Sequence, residues 1–221
     1  MIESTGEVQD AGEGGYRAHA VLDANALASI REANAGFLAL VADGHAARPG
    51  AGVLGLTAGA TAAIAALDAG GRRAAAACPY TLFNLRFEDG AFWAGVASDP
   101  ALAAVGGRGD AATFARTAVF LAWHLARGSQ LTAALVLGMT IPVRRAFRRL
   151  PLPALDHAAS VALPELAARW GGHPGFWPKL LEAAAPADRG RADSVRLLGL
   201  QLLAAEGIGA AAARGELRPG E

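Results

Sequence analysis

The chain contains one stretch twice, and this internal repeat constrains the fold more than any other feature of the sequence. Residues 37–87 align without a gap on residues 120–170, at an offset of 83. The matches fall at apolar positions and at one turn glycine: Phe37-Leu38-Ala39 on Phe120-Leu121-Ala122, and Leu54-Gly55-Leu56-Thr57 on Leu137-Gly138-Met139-Thr140. Phe92-Trp93 recurs as Phe176-Trp177 at an offset of 84, so one residue is inserted. We interpret the chain as a tandem duplication.

The spacing of the apolar residues is helical in both copies and clear strand alternation is absent, which predicts an all-α protein. Two similar helical units would then pack as a pseudo-two-fold pair. We expect the first helix to end at Gly44 and Thr57 to cap the second. Gly70-Gly71 is expected to separate the second helix from a third that starts at Arg72. Gly138 is expected to form a tight turn between two helices of the second copy.

The sequence divides into four segments. Residues 1–18 are acidic and Gly-rich and are predicted to be a disordered tail. The first helical repeat covers residues 19–105. The second repeat, with a closing helix at about residues 191–206, covers residues 106–208, and residues 209–221 are predicted to fray. The stretch from Tyr80 to Phe87 fits either a helix or a short strand.

Charge and cysteine content exclude several classes of protein. The formal net charge is zero, so no overall field draws the chain to nucleic acid or to an acidic membrane. Cys78 is the only cysteine, which excludes an intramolecular disulfide and a thiolate zinc cluster and fits a reducing compartment. The N-terminus lacks the pattern of a signal peptide, and the apolar runs are too short to span a bilayer. We therefore expect a cytoplasmic protein without membrane contact.

Four arginines lie on one face of the helix predicted after the Gly138 turn: Arg144, Arg145, Arg148 and Arg149. A helix, a glycine turn and a second helix is the order of a helix-turn-helix, and guanidinium groups bind phosphate and guanine. A solvated helix face or a dock for an acidic partner explains the same pattern, and the zero net charge favours that alternative. The first copy has Thr or Ala at the four corresponding positions, so only the second copy would bind.

The two aromatic pairs, Phe92-Trp93 and Phe176-Trp177, are candidate anchors for a protein partner, since aromatic residues are enriched in interface cores. The four candidate anchors are Phe92, Trp93, Phe176 and Trp177. Their recurrence in both copies favours the alternative that each pair closes the core of its own repeat.

The polar residues give little support to catalysis. No Ser or Cys nucleophile stands at a recognisable spacing from His124, Asp156 or His157, and the two histidines lack metal-ligand spacing on one helix. Cys78, followed by Pro79, is interpreted as a small buried residue rather than a reactive thiol. We expect no enzymatic activity, no cofactor and no metal site.

The apolar and turn positions of the second copy follow a distinctive spacing: Leu121-Ala122, Leu125, Arg127, Ala133, Leu137-Gly138, Ala146, Leu150, Leu152-Pro153 and Ala159. This pattern resembles the flagellar transcriptional regulator FlhD family, and Leu85-Arg86-Phe87 of the first copy is similar to the end of the same motif. The resemblance covers roughly fifty residues in each copy. It implies a helical, non-enzymatic activator that joins a second regulatory subunit to bind promoter DNA.

The chain departs from that family in being duplicated, in having Ala69-Gly70 in place of a Leu-Pro helix start, and in carrying the arginine cluster. We expect a transcriptional regulator or regulatory adaptor that acts through a second protein subunit. DNA contact through the partner complex and homo-oligomerisation remain open. The alternative is a helical scaffold or assembly protein that uses the same fold without nucleic acid.

Overall fold

A computed structural model describes residues 24–98, 109–184 and 189–213, and most of them are helical, which confirms the all-α class. In chain order the helices are α1 (Ala24–Ala47), α2 (Ala58–Ala66), α3 (Ala69–Ala76), α4 (Gly90–Ser98), α5 (Asp110–Gly128), α6 (Gln130–Leu137), α7 (Ile141–Arg149), α8 (Leu155–Ala162), α9 (Phe176–Ala184) and α10 (Arg189–Ala213). None of the helices in these three ranges is long and apolar enough to cross a bilayer. The predicted tail over residues 1–18 and the predicted junction between residues 105 and 106 lie outside the described residues.

The stretch that fitted either helix or strand contains a short strand. Strand β1 (Phe83–Asn84) pairs antiparallel with β2 (Ala167–Ala168), with Phe83 opposite Ala168 and Asn84 opposite Ala167. A two-residue strand is too short to show alternation, which explains why the sequence pattern could not separate the two states.

The predicted cap at Thr57 and the predicted turn at Gly138 both form. The Thr57 hydroxyl accepts a hydrogen bond from the Ala60 amide at 3.2 Å and so caps α2. Gly138 ends α6 in the left-handed region, at φ 65°. A Cβ atom at Gly138 would also lie 1.8 Å from the Arg169 guanidinium, so both the turn and the packing require glycine.

Three predicted helix ends are wrong. Helix α1 continues past Gly44 to Ala47, because this glycine makes room for a neighbour: a Cβ there would lie 2.8 Å from the Val53 side chain. Helix α3 starts at Ala69 and includes Gly70 and Gly71, since Asp68 caps it by accepting from the Gly71 amide at 2.6 Å. Helix α10 runs to Ala213, beyond the predicted end near residue 206.

The helices pack in two neighbouring sets. Helix α1 packs on α2 and α3, and α5 packs on α7 and α8. The two sets meet where α1 lies beside α5, α4 packs on α7, and α9 packs on α2 and α3. Helix α10 packs on α9 and α6. The core between them is rich in aromatic rings, such as Phe83 edge-on to Phe114 at 4.9 Å.

A buried amide ties α1 to the segment before β1. Asn34 is fully buried, and its Nδ2 donates to the carbonyls of Ala76 at 3.2 Å and Tyr80 at 2.9 Å. Its Oδ1 accepts from the Leu82 amide at 2.8 Å. Because buried backbone groups need partners, this one side chain fixes the path of the chain between α3 and β1.

Helix α10 is held by a buried cation. The Arg169 side chain is 2% exposed, and its Nη2 lies 2.8 Å from Glu206 Oε2. Trp170 Nε1 donates to the other Glu206 oxygen at 2.6 Å. Burial lowers the pKa of the Arg169 guanidinium, and the charge of Glu206 opposes that effect. Glu206 therefore supplies the negative charge that compensates the buried Arg169 guanidinium.

Candidate functional site

Helix α7, which carries the arginine cluster, is fixed by one buried face. Val143, Ala146 and Phe147 are buried, and the Phe147 ring lies 4.3 Å from the Trp93 ring of α4. The Thr140 amide before α7 donates to the Phe87 carbonyl at 3.2 Å. Packing of this buried face therefore fixes the orientation of α7, and the opposite face points away from the core.

Three of the four predicted arginines lie on that outward face. Arg145, Arg148 and Arg149 are exposed, and within the described part of the chain none of them has an acidic partner. Arg148 and Arg149 occupy the last turn of α7, where a positive charge is favourable beside the helix dipole. These three residues are called the arginine face below.

Arg144 does not belong to the arginine face. It is half-buried, its Nη1 donates to Gln130 Oε1 at 3.4 Å, and its buried Nε has no hydrogen-bond partner among the residues that the structure describes. The prediction of four guanidinium groups on one exposed face is therefore corrected to three, because the fourth turns back toward α6.

Arg127, at the end of α5, adds a fourth cation that the cluster spacing did not include. Its Nη1 donates to the Arg148 carbonyl at 3.4 Å, and its guanidinium lies 4.8 Å from the centre of the Trp123 ring. Twenty-one residues separate it from Arg148, so only the packing of α5 on α7 brings the two together.

The aromatic pairs belong to the core. Trp93, Phe176 and Trp177 are at most 1% exposed, so the hypothesis that they are partner anchors is corrected for these three. Trp93 Nε1 donates to the Leu85 carbonyl at 3.0 Å, and Trp177 Nε1 donates to the Arg169 carbonyl at 2.9 Å. Phe92 is half-buried, with the Arg86 guanidinium 4.9 Å from its ring centre.

The candidate acid–base residues lie on different elements. His124 lies on α5 and is exposed, while His157 and Asp156 lie on α8. The Asp156 carboxylate lies 4.0 Å from Arg116, a weak exposed ion pair. Among the described residues, no three His, Cys, Asp or Glu side chains are grouped as metal ligands would be.

Cys78 lies in the core, 1% exposed, as the sequence interpretation expected. Burial raises the pKa of its thiol from 9.0 to about 11, although a hydrogen bond with Tyr80 works against this. Burial also raises the pKa of the Tyr80 hydroxyl, which donates to the Val195 carbonyl at 3.3 Å. Since the thiolate is the reactive form, burial and the raised pKa both disfavour reaction of this cysteine at neutral pH.

Comparison of the chain with protein-family models, with curated proteins and with solved structures gave no match.

Proposed function

We propose, first, that the two sets of helices are duplicated units related by a pseudo-two-fold axis. The β1–β2 register supports this: at an offset of 84 the counterpart of Phe83 is Ala167, and that of Asn84 is Ala168. Each strand residue is thus paired with the counterpart of its neighbour, as an isologous contact requires. The packing of α4 on α7 and of α9 on α2 is reciprocal in the same sense.

Local geometry at matching positions supports the same proposal. The Trp93 and Trp177 indoles donate to carbonyls eight residues earlier in each case. Positive φ angles of 54° and 53° occur at Arg86 and Trp170, again 84 apart. The offset changes from 83 to 84 before these residues, so the inserted residue belongs between α7 and β2 rather than after Trp170.

We further propose that the protein is a non-enzymatic, FlhD-like regulator or adaptor that acts through a protein partner. The arginine face is the observation that carries this proposal. Three exposed guanidinium groups on one helix, without acidic partners in the described ranges, favour an external anionic surface as their ligand.

The position of the arginines along α7 favours backbone contact over base reading. In a helix-turn-helix, the first residues of the second helix reach the base edges. In α7 these are Ile141 and Pro142, whose side chains offer no donors, while the arginine face begins in the middle of the helix. The partner complex would therefore supply sequence specificity, and this chain would supply contacts to phosphates.

The alternative function is a helical scaffold that docks an acidic protein without nucleic acid. The observation that favours it is the net charge of zero, because a nucleic-acid-binding domain is usually basic as a whole. The arginine face would then bind Asp and Glu side chains of the assembled protein.

The test is fluorescence anisotropy of a labelled DNA duplex, with the full chain alone and with its co-purified partner. An Arg145→Gln, Arg148→Gln variant is expected to weaken retention, whereas Arg48→Gln, Arg73→Gln is expected to have little effect, because it makes an equal charge change at exposed residues just after α1 and on α3. Partner binding with no DNA retention would favour the scaffold. Neither partner binding nor DNA retention would refute both functions.

A further inference from the structure

A long open groove runs between α1 and α5, on the side of these helices away from the core. Its volume is about 740 Å³, and both walls follow helical spacing, from Ser29 to Asp43 on α1 and from Asp110 to His124 on α5. Each wall is about 21 Å long at 1.5 Å per residue, which is the length of roughly four helical turns. A single additional helix matches this length.

Large apolar side chains form part of the lining of the groove. Phe120 is 39% exposed, and Leu40, Leu121 and Trp123 are half-buried along the same walls. The Thr117 hydroxyl already donates a hydrogen bond to the Thr113 carbonyl at 3.2 Å, so a bound ligand does not need to accept one from it. An exposed apolar strip of this kind, bordered by polar groups, marks an interaction surface.

The charged residues of the groove are acidic. Glu32, Asp43 and Asp110 line it, no Lys or Arg does, and within the described ranges none of the three carboxylates forms an ion pair. A neighbouring cavity is lined by Asn25, near the start of α1, and by Leu125, near the end of α5. The two helices therefore run antiparallel. Asp43 and Asp110 therefore lie at one end of the groove, and Glu32 lies toward the other.

We propose that this groove binds a basic amphipathic helix of the partner protein, with its apolar stripe against Phe120 and Leu121. In this complex the Lys or Arg residues of the partner helix lie against Asp43 and Asp110. Laying an amphipathic helix into an apolar groove is a common recognition mode, and the acidic rim sets the charge of the helix. This inference deepens the proposed function and rests on it, because it names the element by which the second subunit is held.

The charge of the first 23 residues does not complement the groove. Arg17 is the only Lys or Arg in the first 23 residues, which contain five Asp and Glu residues. That segment has the same sign of charge as the groove. A second copy would need the matching basic stripe on its own surface, and self-association is therefore one outcome that the test includes.

Gly36 offers a way to fill the groove without unfolding the protein. A Cβ atom there would lie 3.6 Å from the Phe114 ring, an ordinary contact, and Gly36 lies inside α1, where other residues have higher helix propensity than glycine. Gly36→Leu is therefore expected to keep the fold and to occupy the space of the partner helix. Gly59→Leu is the matched control, because Gly59 lines a second groove between α2 and α9 and has open space around it.

The experiment measures binding of a labelled Leu/Lys amphipathic model peptide of about four turns to the full chain by fluorescence anisotropy. Wild type and Gly59→Leu are expected to bind alike, Gly36→Leu to lose at least about tenfold in affinity, and Asp43→Asn and Asp110→Asn about threefold to fivefold each. A Leu/Glu peptide of the same pattern is expected not to bind. Added salt is expected to weaken the Leu/Lys complex.

Three results would overturn the inference. Equal binding to wild type and Gly36→Leu, or loss on Gly59→Leu instead, would place the peptide elsewhere. A wild-type dimer that Gly36→Leu converts to a monomer in sedimentation would identify a second copy as the occupant. Partner capture that survives Gly36→Leu, in a complex that still loses DNA retention on Arg145→Gln, Arg148→Gln, would remove the groove while leaving the proposed function intact.

Discussion

Replacing Glu206 by Gln tests the idea that α10 is fixed by compensation of one buried charge. The substitution keeps the shape of the side chain but leaves the Arg169 guanidinium, which is 2% exposed, without its anion. Breaking a buried ion pair costs about 3–5 kcal/mol. The Glu206 side chain is 35% exposed, so water screens part of this, and we expect a loss of about 2–3 kcal/mol.

The measurement is urea unfolding at neutral pH followed by tryptophan fluorescence, since Trp170 contacts both charged groups. A loss of this size corresponds to a lower melting temperature by about 5–10 °C for a chain of this length. Trp170→Phe removes the indole hydrogen bond to Glu206, and this loss is expected to cost about 1 kcal/mol in addition to the effect of the smaller ring. Glu182→Gln, on the exposed face of α9, is the matched control, with a change below about 0.5 kcal/mol.

The double variant Arg169→Met, Glu206→Met separates charge from packing. If an uncompensated charge causes the loss, the double variant is more stable than Glu206→Gln, because no buried ion remains. A Glu206→Gln protein as stable as wild type would show that water already solvates Arg169, and the account of α10 would then be wrong.

Three further outcomes follow from buried contacts. Asn34→Ala leaves the Leu82 amide and the Tyr80 carbonyl without partners, and denaturant unfolding is expected to register a loss of about 2–4 kcal/mol; a loss below about 1 kcal/mol would contradict the clamp. Because the Cys78 pKa is raised from 9.0 to about 11, stability is unaffected by this thiol below pH 9. Above pH 9 the unfolded chain loses the proton first, so the free energy of unfolding falls by about 1.4 kcal/mol per pH unit up to about pH 11, and Cys78→Ala removes that part of the slope. Gly199→Ala would place a Cβ 2.0 Å from the Tyr80 hydroxyl, so proteolysis within α10 is expected to accelerate; unchanged cleavage would refute this close contact.

The sequence predicted those features that depend on residues close together in the chain. Thr57 caps α2, and Gly138 adopts a left-handed turn, because the cap bond and the backbone angle are properties of a few neighbouring residues. Gly44 was wrong as a helix end, since its close contact with Val53 forms only after the chain turns back. Helix periodicity was sufficient for the fold class, but not for the exact ends of α3 and α10.

The candidate surfaces were predicted less completely, because long-range packing decides which side chains face outward. Helical spacing placed Arg145, Arg148 and Arg149 on one face, but it could not show that Arg144 turns toward Gln130. The groove requires α1 beside α5, a contact between helices more than sixty residues apart. The sequence does show one wall of the groove, because Gly36, Ala39 and Asp43 recur at helical spacing on the side of α1 away from its buried residues.

The salt dependence of DNA binding by the full chain in complex with its partner tests whether the arginine face contacts phosphates. Each phosphate neutralised by a cation contributes about −0.9 to the slope of log K against log salt, so Arg145, Arg148 and Arg149 together contribute about −3. Arg145→Gln, Arg148→Gln is therefore expected to reduce the magnitude of the slope by about 2, while Arg48→Gln, Arg73→Gln leaves it unchanged. A complex that binds DNA with the same slope in all three proteins would contradict the assignment of the arginine face as its contact with phosphates.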